Sequence, residues 1–419
     1  MQERRVVITG MGAVSCAGNS VNSLWDALRS GRSGIGKLTL FDAGDLPVYA
    51  VGEVRDLVVP GLTLKEQRRT ARFTRFAYAA AHEAMTHAGL LDEERGRLCA
   101  CEDPFRTGTL ISSGIGGAEV YDANNALVAR GKSVSTFCIP TFNVSSATGS
   151  TALRYGLRGP GFSIASACAS SAHAIGEAAW IIRRGDADVM LAGGAEACIV
   201  PVMVSGFLSL TALSMRQGDP AEASRPFDRD RDGFVIAEGA AVLILEELEH
   251  ARRRGAVILA ELAGYGASCD AWHITSPDPE GTGAANAMQS AMKHACCRPE
   301  EIGYVSAHGT GTKLNDLYET RAIRKAFGTH ADRLSVSSVK SMIGHALGAA
   351  GALASVGCVR SLESGIIPPT INCDHPDPEC DLDVTPGTAV TKELELVMSN
   401  SMGFGGHNAA LIFKRWKDH

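Results

Sequence analysis

The chain has 419 residues, 45% of them hydrophobic and only 6% aromatic, enough to bury a large core and to fill two domains or one duplicated unit. A formal net charge of −6 excludes a global basic field of the kind that holds a nucleic-acid backbone or an anionic membrane, so partner electrostatics are local. Twelve cysteines are scattered without a C-x-x-C pair, a usage that fits small core residues in a reducing compartment better than a zinc site or a disulfide framework.

Met1 to Arg5 runs straight into the strand-like Val6–Thr9 with no apolar secretory segment, and the expectation is a cytoplasmic protein. Gly10-Met-Gly-Ala-Val-Ser15 begins like a dinucleotide fingerprint, but Ser15 replaces the third glycine, and Arg32 and Ser33 stand where an acidic ribose contact belongs. Lys65-Glu-Gln-Arg-Arg69, followed by Arg72 and Arg75, is a local basic run on an acidic protein. Thr109–Ser112 and Phe162–Ser166 read as short strands. After the second of these, Ala172, Ile175, Ala178, Ala179 and Ile182 recur at helical spacing, closed by Arg183-Arg184 and the capping Gly185. Cys168 therefore falls at a helix N-terminus, where unpaired N–H groups and the positive end of the helix dipole favour a thiolate and can hold an oxyanion. Its small neighbours in Ser163–His173 leave room for a substrate.

Val189–Ala192 and Ala241–Glu246 are further strands. Between them Asp228-Arg-Asp-Arg-Asp-Gly233 copies the start of a calcium loop but carries Gly239 at position twelve, so a polar turn is expected. Past Arg252-Arg-Arg-Gly255 the rhythm restarts with Val257–Leu262, Tyr304–Ala307, Leu334–Val339, Leu396–Ser399 and Ala409–Phe413. The cut is placed near residue 256, giving halves 1–256 and 257–419 in alternating α/β layers. Val6–Gly10 and Tyr304–Gly309 both end a strand in a glycine turn, which hints at duplication. His308 ends one of these strands and opens onto a loop with Thr310 and Thr312, and Lys340 and His345 follow another. Strand ends are where sites gather in α/β sheets. Ile343–Val359 is broken by His345 and Ser355 and falls short of a membrane span. It reads as a buried helix with Gly344, Gly348 and Gly351 clearing one face for close packing. Asn400–Asn408 sets Phe404 among glycines, a flexible turn with an aromatic lid and an exposed N–H.

With Cys168, His308, Lys340, His345 and Gly403-Phe-Gly-Gly406 together, the chain resembles the β-ketoacyl-[acyl carrier protein] synthases, most of all the elongating synthase II type. Val7–Gly12, Tyr155–Pro160, Gly185–Val189, Arg225–Asp228, Ala307–Thr310, Lys340–His345 and Asn400–Asn408 carry the likeness nearly end to end. The resemblance implies the thiolase fold, two similar α/β halves stacked as a five-layer αβαβα sandwich. It implies that Cys168 takes an acyl chain from a carrier-protein thioester, and that malonyl carrier protein then loses CO₂ and attacks it. The N–H groups of Cys168 and Phe404 would form the oxyanion hole. Neutral His308 and His345 would hold the enolate, and Lys340, paired with Glu319, would order the site electrostatically. Ile115 and Phe207 would line the acyl tunnel, Phe404 would gate it, and Thr310 and Thr312 would hold the pantetheine arm. Lys65, Arg68 and Arg69 match the docking patch for acidic carrier proteins. No metal and no cofactor beyond the carrier's phosphopantetheine arm is implied, and no nucleic-acid or membrane partner.

Two family neighbours fit less well: thiolases place a second cysteine where this loop has His407, and non-catalytic polyketide subunits lack the nucleophile. The pathway divides between fatty-acid elongation by a homodimer and a type II polyketide ketosynthase paired with a non-catalytic sister. Thr312–Thr320 and His375–Leu382 lean toward the latter, and Ala169–His173 departs from the Thr-Ser-Gly that commonly follows the cysteine in both groups.

Overall fold

The computed structural model describes residues 4–417. The first half opens with β1 (Val6–Ser15), every residue of which is buried, and continues through β2 (Thr107–Ser112), β3 (Val189–Glu196) and β4 (Gly239–Glu247). The second half contains β5 (Ala260–Cys269), β6 (Ile302–Ser306), β7 (Ser335–Ser337), β8 (Leu396–Gly403) and β9 (His407–Arg415). Among the described residues these strands hydrogen-bond in the order β7-β6-β8-β9-β5-β1-β4-β3-β2. The halves meet where β1 pairs antiparallel with β5 through Val7 and Ile8.

On either side of that seam the pattern repeats. β1 is antiparallel to β4, β4 to β3, and β3 is parallel to β2. In the same way β5 is antiparallel to β9, β9 to β8, and β8 is parallel to β6. The counterpart of β1 is thus β5, so the likeness expected between Val6–Gly10 and Tyr304–Gly309 is a resemblance between strands that are not equivalent.

The helices occupy matching places. Outside the first half, α1 (Arg72–His87) packs Phe73, Phe76, Ala77 and Ala80 against Val14, Val242 and Ile244. Between the halves lie α2 (Ser170–Arg184) and the C-terminal helix of the second half, both embedded in the largest apolar cluster. Outside the second half, α3 (Thr282–His294) and α4 (Lys313–Phe327) bury Met288, Ala291, Ala322 and Ile323 against β6, β8 and β9. The central partner of α2 is α5 (Ala350–Ser364), which completes helix, sheet, helix, sheet, helix.

Glycine permits the tight outer layers. A Cβ on Gly10 or Gly12 of β1 would lie 2.3 Å from the Ala84 carbonyl oxygen or 1.9 Å from that of Ala80, both on α1. On β5 the same spacing recurs, where a Cβ on Gly264 or Gly266 would lie 2.3 or 2.0 Å from the carbonyl oxygens of Ala291 or Ala287 on α3. The Gly-x-Gly that mimics a nucleotide fingerprint is therefore a landing for a helix backbone on a sheet, used once in each half.

Three local expectations are corrected. Phe162–Ser166 is no ladder strand; its surroundings contribute the isolated parallel bridge Thr109 to Gly161. β5 starts at Ala260 and runs to Cys269, later and longer than Val257–Leu262, because Val257 is exposed and the chain must first clear the helical turn Leu248–Arg253. The small-residue segment is not one helix: Lys340–Ile343 is a short helix, Leu347–Ala349 a 3₁₀ turn, and only Gly351 of the three glycines lies in α5. Gly351 does provide the close approach, to Ala172 of α2, whose backbone N would lie 3.0 Å from its Cβ. Gly344 and Gly348 serve the turns that precede α5.

Gly12→Ala is expected to destabilise the protein by about 1–3 kcal/mol or more in denaturant unfolding, because the added methyl meets backbone that cannot rotate away. Gly149→Ala, in the helix Ser146–Tyr155 with open space at its Cβ position, is expected to stabilise it by about 0.5–1 kcal/mol.

Candidate active site

Cys168 sits in the 3₁₀ turn Ala167–Ala169 that leads into α2, one turn outside the regular helix. Ala167 holds φ +49°, and Leu347 holds +43° at the start of the corresponding turn Leu347–Ala349 before α5. Both are strained conformations for side chains with a Cβ, held by the packed helices behind them. The Ala167 turn lifts Cys168 from the central layer into a cavity of about 370 Å³, where it is 8% exposed.

Facing it, Nε2 of His345 lies 3.1 Å from Cys168 Sγ. His345 is pinned through its main chain, with its N–H donating to Val235 O at 2.7 Å and its carbonyl accepting from Ala237 N at 3.0 Å. Its ring packs edge-on against Phe234 at 5.1 Å and against His308 at 5.2 Å. His308 lies two residues past the end of β6, and two carboxylates of α4 hold the loop around it. Glu319 accepts from the N–H groups of His308 and Gly309, each at 2.8 Å, and Asp316 accepts from those of Thr310 and Phe227. Lys340 Nζ donates to the His308 carbonyl. The expected Lys340–Glu319 pair is not a contact: Glu319 accepts from the N–H groups of His308 and Gly309 and from the Asn400 amide, and acts on the lysine across space.

Phe404 begins the turn between β8 and β9 and is half-buried at the cavity wall. Its N–H and that of Cys168 both approach the sulfur and pull its pKa down. Gly403 makes this meeting possible, since a Cβ there would stand 2.5 Å from Ser166 O and 3.2 Å from Cys168 N.

Burial dominates the electrostatics. Desolvation pushes the Cys168 thiol up to about 12, against the pull of the Lys340 charge, so the resting group is a thiol, and the thiolate expected from the helix terminus alone is not the ground state. Desolvation and the neighbouring Lys340 hold His308 and His345 well below the ordinary imidazole range, which keeps both rings neutral as expected. Lys340 itself is drawn down to about 8 by burial, with Glu319 opposing.

Phe207, Thr310 and Thr312 line the same cavity, the two threonine hydroxyls 2.9 Å apart and Phe207 edge-on to Phe234 at 5.4 Å. Ile115 does not line it, but packs with Phe207 on the apolar cluster that contains Cys168 and Leu347. Lys65, Arg68 and Arg69 are exposed around the helical turn Leu64–Gln67, with Arg69 stacked 4.9 Å over Phe137. Arg72 leaves that run and turns inward, its Nε donating to Glu238 at 2.8 Å.

Sequence reading missed Glu196, fully buried at the end of β3. It accepts from Ser113 Oγ at 2.7 Å, from the N–H of Gly114 at 2.8 Å and from that of Gly348 at 3.0 Å, tying the Ile115 loop to the turn before α5. An acid closing an all-buried strand was the available signal. Asp316 was also missed, although it stands three residues before Glu319 on the buried face of α4.

Cys168, His308 and His345 offer ligand atoms within 4.8 Å of one another, a donor set that also suits a thiophilic cation. A metal-binding imidazole normally has its second nitrogen held by an acceptor, whereas Nδ1 of both rings is buried without a hydrogen-bond partner, and Lys340 adds a positive charge beside them. The arrangement fits a thiol nucleophile with two neutral donors better than a resident metal.

Residues 3–251 match the family model of the beta-ketoacyl synthase N-terminal domain, and residues 259–374 that of its C-terminal domain. The chain belongs to the beta-ketoacyl synthase family. It is 46% identical to 3-oxoacyl-[acyl-carrier-protein] synthase 2 of Synechocystis sp., over 100% of this chain and 99% of the relative, and 46% identical to the protein of that name from Coxiella burnetii over 99% of each. Among solved structures it is similar to a type II polyketide synthase ketosynthase captured with its acyl-carrier protein and bound to the hexaketide (TM-score 0.90, 35% identity, 99% of this chain and 100% of that one). It is also similar to the ishigamide ketosynthase/chain length factor (TM-score 0.89, 35% identity, the same coverage). These relatives share the thiolase fold expected from the motifs. Among the described residues no helix is long and apolar enough to cross a membrane.

Lys340→Ala removes the cation that lowers the Cys168 pKa. The rate of Cys168 alkylation by iodoacetamide, followed by peptide mass mapping, is expected to be lower than in the wild type below about pH 8, where Lys340 is charged, and to converge with it at higher pH; equal rates below about pH 8 would mean that the lysine charge does not reach the sulfur.

Proposed function

We propose that the chain is a 3-oxoacyl-[acyl carrier protein] synthase that joins an acyl group on Cys168 to the two-carbon unit of malonyl carrier protein, with its nucleophile in the half 1–256 and its donors in the half 257–419. The observation that carries this reading is the Cys168 thiol 3.1 Å from a neutral His345 imidazole, in a cavity reached by the Phe404 N–H.

In the first stage Cys168 Sγ attacks the carrier thioester. A C–S bond to Cys168 forms, the bond to the pantetheine sulfur breaks, and the proton of the thiol ends on the departing pantetheine. Negative charge on the carbonyl oxygen is met by the N–H groups of Cys168 and Phe404. In the second stage the malonyl C–CO₂⁻ bond breaks and its electron pair moves into an enolate. His308 and His345 donate to the enolate oxygen, which neutral rings do without first surrendering a charge. The enolate carbon attacks the acyl-Cys168 carbonyl, and the charge that entered as the malonyl carboxylate leaves on the sulfur of Cys168 and then takes a proton. Lys340 lowers the cost of that sulfur anion in a desolvated site. Thr310 and Thr312 present hydroxyls to the pantetheine arm, Phe207 bounds the acyl end, with Ile115 packed in the apolar cluster behind it, and Phe404 gates it. The chemistry draws on the carrier's own phosphopantetheine and asks for no further cofactor.

Acyl carrier protein is the partner, docked by Lys65, Arg68 and Arg69, and the working form is a homodimer in the cytoplasm. Full-length identity to synthase 2 proteins favours fatty-acid elongation. The fit to a polyketide ketosynthase and to a ketosynthase/chain length factor supports a second reading, a catalytic ketosynthase subunit with a non-catalytic partner.

Intact-mass spectrometry after incubation with acyl carrier proteins is expected to show an acyl adduct in the wild type and none in Cys168→Ala. His308→Ala and His345→Ala are expected to keep the adduct but to lose about 10²-fold or more in malonyl decarboxylation. Unchanged condensation in any of the three sinks the mechanism. Lys65→Glu with Arg68→Glu and Arg69→Glu is expected to raise the KM for carrier protein about tenfold at low salt with little change in kcat, an effect that shrinks as salt screens the wild-type patch.

A further inference from the structure

One histidine near the nucleophile has no part in the chemistry above. His173, in the first turn of α2, is half-buried and lies outside the cavity wall. Its Nδ1 is 2.7 Å from the hydroxyl of Ser166, which is 6% exposed and stands two residues before Cys168. Ser166 is also held through its own N–H, which donates to Ser170 Oγ at 2.9 Å, while that hydroxyl donates to the Ala167 carbonyl at 2.6 Å. These contacts box in Ala167, the residue at φ +49°.

The ring reaches in two directions. On one side it meets Ser166 and the main chain of Ala169, which belong to the nucleophile turn; on the other it faces the main chain of Asn408 on β9. Asn408 pairs with Met402, and the next residue, Gly403, pairs with His407 at the mouth of the hairpin that presents Phe404. Burial and the neighbouring His407 keep His173 neutral. A neutral imidazole carries one donor and one acceptor, enough to answer a hydroxyl on one side and a carbonyl on the other. The edge of Tyr265, 6.3 Å away between ring centres, closes a further side.

We infer that His173 is a positioning residue which locks the turn carrying Cys168 to the hairpin carrying Phe404, and thereby sets the spacing of the two main-chain N–H groups that receive the thioester oxygen. The inference rests on the reading of Cys168 and Phe404 given above. Those two N–H groups come from segments more than two hundred residues apart in sequence, and an oxyanion hole works only when its donors are fixed relative to each other.

The test uses two reactions of the same sulfur. Attack on a carrier thioester builds an oxyanion, whereas displacement of iodide from iodoacetamide does not. In Ser166→Ala and His173→Ala, acyl transfer to Cys168, timed by intact mass, is expected to fall about tenfold or more, while alkylation of Cys168 stays within about threefold of wild type. His173→Asn, which returns a polar group near the Nδ1 position, is expected to recover part of the acyl-transfer rate. Equal losses in both reactions, or undiminished acyl transfer, would overturn the inference. So would an Asn variant no faster than the Ala variant. A wild-type chain that takes up no acyl group from any carrier would instead overturn the condensation reading on which the inference stands.

Discussion

The geometry of the site depends on a backbone contact at Gly403. Two chain segments from different halves arrive there at a separation that leaves no volume for a Cβ: the turn that presents Cys168 and the hairpin that presents Phe404. The pairing of main-chain donors at the sulfur follows from that contact. It brings the Phe404 N–H beside that of Cys168 and closes one wall of the cavity. The layers behind it are rigid for the same reason, since glycine brings α1 onto β1, α3 onto β5 and α5 onto α2 at backbone distance. Packing of this density transmits position well, which a site assembled from distant segments requires.

Burial then sets the resting charges. A thiol, two imidazoles, an ammonium group and the carboxylates of Glu196, Asp316 and Glu319 share one desolvated region. Desolvation disfavours the charged form of each, and the fold offsets it selectively. The carboxylates receive backbone N–H donors and become struts for the loops carrying His308 and Ile115. The imidazoles receive no such compensation on Nδ1 and stay neutral. The same physical cost raises the pKa of the three carboxylates, which their backbone donors offset only in part, and leaves uncharged imidazoles beside the sulfur.

His308 and Lys340 were legible in the sequence because each follows a strand, Phe404 because it sits in a glycine turn, and Cys168 because a helical pattern begins just after it. The ten strand readings held in position for most of the sheet, since β1, β3 and β4 are buried on both faces and read as apolar runs. Phe162–Ser166 misled because a small, apolar extended segment looks the same whether or not a ladder forms beside it. The segment around Gly344–Gly351 misled because Ala and Gly carry too little pattern to show where a helix pauses for two tight turns. The thiolate expectation failed for a different reason: position at a helix end is local, whereas desolvation by His345, Phe234 and Leu347 depends on residues far along the chain. The role of Glu196 was hidden for the same cause, its partners Ser113, Gly114 and Gly348 lying far from it along the chain.

The paired turns before α2 and α5 show how a doubled architecture came to hold a single reactive group. Cys168 occupies the middle of one turn, and Gly348 occupies the middle of the other. A Cβ on Gly348 would stand 2.3 Å from the N of Gly114 and 2.6 Å from a Glu196 oxygen, so the place where a second thiol would project is already filled by the carboxylate that ties this turn to the Ile115 loop. Grafting a second nucleophile at Gly348 would displace the Glu196 carboxylate from its backbone donors, and the near-symmetry of the fold stops at the atom where the chemistry begins.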